Sequence, residues 1–433
     1  MKKYFVYIFV IAIIISSCTQ SGSPGLVQLG KVERIDELFT RYTDSDEFSG
    51  AVLVVEEDQV LLREGYGFAN REEQIPNTPE TLFSIQSVSK LFTYAAILME
   101  EDQGNLSLDE PLRNYIPDYP NGDEIKIHHL LYHRSGLLHY PHDRPGHTYG
   151  SLKDPIEMEE LIGEFKNFPL KFEPGTQFGY SNAGYSLLAY VIERLSGVPF
   201  YAYLQSNIFA PIGMNDTTAD LNRIMPDLAV GYEKVSGTFI RSPADHMSYF
   251  VGSGAVYSTV DDLYRWYEAI YVDGTMREFS FGGGDGRGMG YRSTFTPIRS
   301  FDISIIILSN YMDAPVTEMV DEVTAILLED TTLIHLEVDD LDAFVGQFDA
   351  QTRFGEITFN IDRVAESLFV TQKGPAGTNQ TYEIRPISPN SFVTVDGEKI
   401  TGSIFTFLSD HNDEVNQIST DLRGFEFEAT RTH

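Results

Sequence analysis

Ser87 and Lys90 are the residues in this chain whose types and spacing can break a bond. Lys90 is the only lysine with a serine three residues before it, in the run Ser84-Ile85-Gln86-Ser87-Val88-Ser89-Lys90. A helix beginning near Ser87 puts positions 87 and 90 on one face, at the positive N-terminal end. A serine hydroxyl hardly ionises near neutral pH, so it attacks a carbonyl only when a neighbouring base takes its proton. Such a spacing also arises by chance, so the pair needs a proton relay and oxyanion donors before it makes a site.

A second candidate stands at Gly179-Tyr180-Ser181-Asn182, between Phe172-Glu173-Pro174-Gly175 and a helix expected to open at Ala183. A loop at a helix start projects a phenol and a carboxamide rigidly, although Tyr-x-Asn alone also reads as a capped turn. Glu173 reads as structural, beside the turn at Pro174-Gly175.

Three segments occur in order: Phe83 to Lys90, then His129-Leu130-Leu131-Tyr132-His133-Arg134-Ser135-Gly136-Leu137, then Phe172 to Tyr185. Together they resemble the serine β-lactamase-like family of class C β-lactamases, D,D-peptidases and related esterases. The resemblance runs from about Gly50 to Asn310, and Gly252-Ser253-Gly254 through Leu263 extends it. It implies that Ser87 is the acylated nucleophile, Lys90 its proton partner, Tyr180 the relay to the leaving atom, and Asn182 a group holding substrate or lysine. Tyr180 serves as a base only if its pKa falls well below about 10, as an ammonium at Lys90 would make it do. The residues leave open which of Lys90 and Tyr180 is the base.

The family's third motif, a Lys or His, a small residue and a Gly on a strand beside the serine, finds its best match at Phe281-Gly282-Gly283; a register through Gly284-Asp285-Gly286 is no better. In the first register Phe281 and Gly283 face the substrate, and the N–H groups of Ser87 and Gly284 form the oxyanion hole. Phe281 cannot donate to a substrate carboxylate. Arg287 or Arg292 are the candidates to replace the missing cation, against the plainer reading of both as surface charges. The resemblance implies a serine hydrolase that forms an acyl-enzyme at Ser87 on a small ester, amide or cell-wall peptide, without a cofactor. A β-lactamase or D,D-carboxypeptidase proper is the alternative, and an impaired binding protein on the same fold is the alternative of another class.

Six histidines between His128 and His147, with Asp143, invite a zinc reading, but they lack a repeating ligand spacing and no metal site is expected. A formal net charge of -33 over 433 residues repels nucleic acid and anionic lipid heads. Residues 1–17, with Lys2-Lys3 and the apolar Val6 to Ile15, read as a lipoprotein signal, Cys18 as the lipidated residue, and 18–30 as a flexible tether. The expected location is a bacterial cell envelope, facing the periplasm or the exterior, with membrane contact only through the lipid. The oligomeric state is not legible.

The elements that must position these residues follow from periodicity. Helices are expected at Lys31 to Tyr42, Ser87 to Glu101, Met158 to Phe168, Ala183 to Ser196, Pro199 to Phe209, Val260 to Tyr271 and Val316 to Leu328. Hairpins are expected at Gly50 to Asn70 and at Met289 to Leu308. Strands at both ends with helices between predict an α+β catalytic domain over 31–332, its terminal segments joined in one antiparallel sheet. Short alternating runs beyond it predict a small all-β domain over 333–433.

Overall fold

The computed structural model describes residues 30–276, 283–329 and, with short gaps, 331–432. The signal, Cys18, nearly all of the tether and the Phe281-Gly282 pair lie outside the described residues. Among the described residues no helix is long and apolar enough to cross a membrane.

Strands β1 (Gly50–Glu56) and β2 (Gln59–Tyr66) join β3 (Gly284–Gly288), β4 (Tyr291–Ile298) and β5 (Ile303–Ser309) in one antiparallel sheet of order β2-β1-β5-β4-β3. The two ends of the catalytic region meet where Gly50 pairs with Ser309 and Val54 with Ile305. The Ala51–Val55 run is buried at every position, because each face of this sheet carries a helical layer. Ala51, Leu53, Phe295, Ile306 and Leu308 face one core. Val52, Val54, Ile305 and Ile307 face the other, against α1 (Lys31–Asp44).

On the first face, α2 (Lys90–Asp102) is apolar on nearly every side, with Leu91, Phe92, Tyr94, Ala95, Ala96, Ile97 and Leu98 all buried. A helix of that composition can only be central. It packs against α3 (Asn182–Ser196) and against Trp266 of α4 (Val260–Tyr267), whose ring stands 4.7 Å from Phe92. The expected helices form, with a correction at the one expected from Ser87: Ser87 lies in a 3-10 turn over Gln86–Ser89, and the α-helix starts only at Lys90. The glycine-rich stretch forms the edge strand β3, on which the third motif was expected.

Beyond α5 (Val316–Leu327), eight antiparallel strands between Gly346 and Arg431 close into a barrel, with Phe348 of the first pairing with Arg431 of the last. Its interior is filled by Phe348, Phe359, Phe392, Phe405 and Phe407, and Phe344 plugs one end with its ring 4.8 Å from those of Phe392 and Phe407. The outward-facing Val393, Val395 and Ile404 join the core of α1 and α5. The barrel therefore docks on the face of the sheet opposite the helical layer that holds Ser87.

This contact is apolar and buried, so a charge placed in it has no partner. Ile404→Asp is expected to destabilise the protein by about 3 kcal/mol, read as a fall in thermal midpoint. Acylation at Ser87 below the transition should remain unchanged, and a loss of acylation without a loss of stability would contradict this placement.

Candidate active site

Each side chain of the site is fixed by a local device. Ser87 sits in the 3-10 turn, where residues three apart eclipse each other, and this brings Lys90 Nζ to 3.2 Å from Ser87 Oγ. Gln86, just before the serine, holds φ +49° and is tied down by Nε2 donating to Ser84 Oγ at 2.9 Å. A non-glycine residue in that region is strained and persists only where its surroundings hold it.

Lys90 is 2% exposed, and its Nζ lies 2.8 Å from Asn182 Oδ1 and 2.6 Å from the Ser253 carbonyl. Those two oxygens can only accept. Burial pushes the Lys90 pKa well below the usual lysine range. A neutral amine has two N–H groups and one lone pair, which match two acceptors and one serine hydroxyl. Tyr180 O–H donates to Ser87 Oγ at 2.8 Å; the residue keeps 38% of its surface exposed, yet desolvation pushes its pKa up to about 12. This reverses the expectation that a Lys90 ammonium lowers Tyr180. The amine is itself kept neutral by burial, so the phenol keeps its proton.

The loop carrying Tyr180 is held by histidine. The His133 carbonyl accepts from Gly179 N at 2.8 Å, His133 Nδ1 accepts from Ser181 N at 3.2 Å, and the imidazole lies 4.3 Å from the Tyr180 ring. Ser181 Oγ caps α3 by accepting from Gly184 N at 3.1 Å. Gly252, at φ +78°, lets the next loop pass where a Cβ would stand 2.4 Å from the Tyr185 carbonyl, and so sets the Ser253 carbonyl on Lys90.

Strand β3 closes the other side. A Cβ at Gly286 would meet the Ile85 carbonyl at 2.3 Å and Gln86 Cβ at 2.9 Å, whereas one at Gly284 would meet Leu91 and Val88 at 3.7 Å or more. Alternate glycines thus let the strand lie against the serine turn. The strand positions lining the cleft with Ser87 are Asp285 and Arg287. This corrects the expected motif: Gly284 lies farther along α2, and the register through Gly284-Asp285-Gly286 is the one that flanks Ser87. Gly283 is buried just ahead of β3, and Phe281 is outside the described residues. Arg287 is exposed and paired with Asp313 at 2.5 Å, while Arg292 is half-buried in the cleft wall.

The cleft, about 300 Å³, also takes its wall from His139, His142, Tyr149 and Phe250, none of which sequence reasoning assigned to the site. Nothing in the spacing of that Pro-rich loop signals it. Ser253 was marked only by its glycine neighbours. The histidines do not converge on one point: His147 Nε2 pairs with buried Asp245 at 2.8 Å, and His128 Nδ1 contacts the Leu108 carbonyl at 3.0 Å. Among the described residues no group of His, Cys, Asp or Glu is placed to hold a metal ion.

A serine hydroxyl between a buried amine and a protonated phenol, on an α+β scaffold with an antiparallel sheet, defines a serine hydrolase. Residues 35–327 match the Beta-lactamase family, and the chain belongs to it. It is 30% identical over 289 residues to Penicillin-binding protein 4* of Bacillus subtilis, covering 62% of this chain and 60% of that protein. It is likewise 30% identical over 303 residues to a D-aminopeptidase of Gluconobacter oxydans, covering 61% and 56%. The chain therefore spans less than two thirds of the length of either relative. In fold it is similar to the octameric penicillin-binding protein homologue from Pyrococcus abyssi, with TM-score 0.59 and 21% identity over 92% of this chain and 100% of that one.

Because Gly286 has no room for a side chain, Gly286→Ala is expected to push β3 away from the serine turn. Stability should fall by about 1–3 kcal/mol and acylation by about 10-fold or more. Parent-like rates in the folded variant would show that β3 takes no part.

Proposed function

We propose that this protein cleaves a small ester or amide through an acyl-enzyme at Ser87, in the manner of an esterase or D-amino-acid peptidase. The observation that carries the reading is the buried Lys90 amine against Ser87 Oγ, with both of its N–H groups taken by carbonyl oxygens. As Ser87 Oγ attacks the carbonyl carbon, its proton passes to Lys90 Nζ. The new ammonium keeps Asn182 Oδ1 and the Ser253 carbonyl as partners. The oxyanion is met by backbone N–H groups of Ser87 and of the β3 segment at Asp285 to Arg287. When the tetrahedral intermediate collapses, Tyr180 gives its phenolic proton to the leaving nitrogen or oxygen and is reprotonated from Lys90. Water then attacks the acyl-enzyme by the reverse proton path.

The β3 segment that flanks Ser87 offers glycine at positions 284 and 286, and its one cation, Arg287, is paired with Asp313. Efficient recognition of a penicillin-like or D-Ala-D-Ala carboxylate is therefore not favoured, and Arg292 is the group left to meet a substrate carboxylate. The relative named D-aminopeptidase supports an amide as substrate. Lipidation at Cys18 and a place on the bacterial envelope, with the active site facing the periplasm or the exterior, belong to the same proposal and rest on the sequence alone.

Intact-mass labelling tests the nucleophile. A fluorophosphonate should add once to the parent and not to Ser87→Ala. No adduct on folded parent sinks the hydrolase mechanism, and a penicillin adduct that clears rapidly favours a β-lactamase instead.

The base is tested by pH. Lys90 must be neutral, so kcat/KM should fall as pH drops below its lowered pKa, while loss of the Tyr180 proton should not begin until near about 12. Between pH 5 and 10 the profile should show one ascending limb. A descending limb below pH 10 would mean that Lys90 acts as an ammonium and would assign the base to Tyr180.

A further inference from the structure

We propose that His139 is a positioning residue for acylation: its Nδ1 holds the backbone N–H of Asn182, and through that residue it sets the amine of Lys90. The proposal rests on the reading of Ser87 as nucleophile. The start of a helix leaves backbone N–H groups without intrahelical partners, and here they are shared out one by one. Ser181 Oγ takes the N–H of Gly184, His133 Nδ1 that of Ser181, and His139 Nδ1 that of Asn182 at 3.3 Å. From Asn182 the same residue's Oδ1 reaches Lys90 Nζ at 2.8 Å. The His139 ring also stands edge-on to Tyr180, with centroids 5.1 Å apart at 76°. One imidazole thus touches both Tyr180, which donates to the nucleophile, and Asn182, which holds the amine.

The role requires that Nδ1 carry no proton. Burial, with His142 and Lys90 nearby, pushes the His139 pKa down to about 3, so the ring is neutral and its proton sits on Nε2. Its own backbone is anchored in turn: His139 N donates to Asp143 Oδ2 at 2.6 Å, and Lys171 Nζ pairs with the same carboxylate at 2.6 Å. His133 differs, since it is buried and brackets the loop from behind, whereas His139 lines the cleft.

The two ring nitrogens can be separated by substitution. In His139→Asn the side-chain oxygen falls near the place of Nδ1, and in His139→Gln the terminal group falls near that of Nε2. With a chromogenic ester, His139→Asn is expected to keep kcat within about threefold of parent. His139→Gln and His139→Ala should lose about 100-fold in kcat with KM nearly unchanged, because a small displacement of the base costs rate before it costs binding. Hydrogen exchange at the Asn182 amide should stay slow in parent and His139→Asn and become fast in the other two. Where His139→Ala does not fold, the Asn and Gln variants carry the comparison.

Activity retained by Gln and lost by Asn overturns the proposal and assigns Nε2 to the substrate. Parent-like kcat and Asn182 protection in all variants overturns it too. If the parent itself is never acylated, the nucleophile reading fails instead, and Asn182 exchange still reports whether His139 holds that amide.

Discussion

The structure depends on the cost of placing a lysine amine where water cannot reach it. Lys90 is buried beneath the serine turn, and an ammonium there would lose its hydration for two carbonyl oxygens and a hydroxyl. Burial shifts the balance toward the neutral amine, which is the form able to take a proton from Ser87. The surrounding elements serve that placement. α2 delivers the lysine from a helix that is apolar on nearly every side, α3 supplies Asn182 at its first turn, and the Gly252-Ser253 loop presents a carbonyl to the amine.

The same burial explains the division of labour between Lys90 and Tyr180. A phenol beside an ammonium would be the more acidic of the two, and either group could then begin the reaction. With the amine neutral, desolvation outweighs the Ser87 contact that would favour a phenolate, and Tyr180 is held as a donor to Ser87 Oγ. The two histidines that hold the loop, His133 from behind and His139 from the cleft, fit this arrangement, since desolvation keeps both as neutral acceptors for successive backbone N–H groups. A charged imidazole next to Lys90 would repel the proton that the lysine must accept.

On the other side of the nucleophile, constraint comes from space instead of charge. β3 is the edge of the sheet and approaches the Ile85–Gln86 backbone so closely that only glycine fits at 286. That closeness brings the backbone of β3 against the serine turn. The barrel stands apart from this chemistry. It covers an apolar patch of α1 and α5 on the far face of the sheet and leaves the cleft open.

Much of this was legible in the residues. Period 3.6 and alternating runs placed the main helices, both hairpins and an all-β C-terminal region, because burial on one or two faces writes itself into local pattern. The Ser-x-x-Lys and Tyr-x-Asn segments located three groups that meet around one hydroxyl. What local pattern could not carry was anything set by distance through space. That Ser87 stands in a 3-10 turn, that glycines at 284 and 286 form a strand, and that His139, Phe250 and the Ser253 carbonyl reach the cleft depend on long-range packing. The protonation of the site belongs with these, since the sequence names an amine and a phenol but the direction of both pKa shifts depends on what is buried around them. By itself, then, the sequence named the hydroxyl, the amine and the phenol that come together. The tertiary structure alone decided which of them holds the proton, because only folding removes the water that would otherwise keep Lys90 charged.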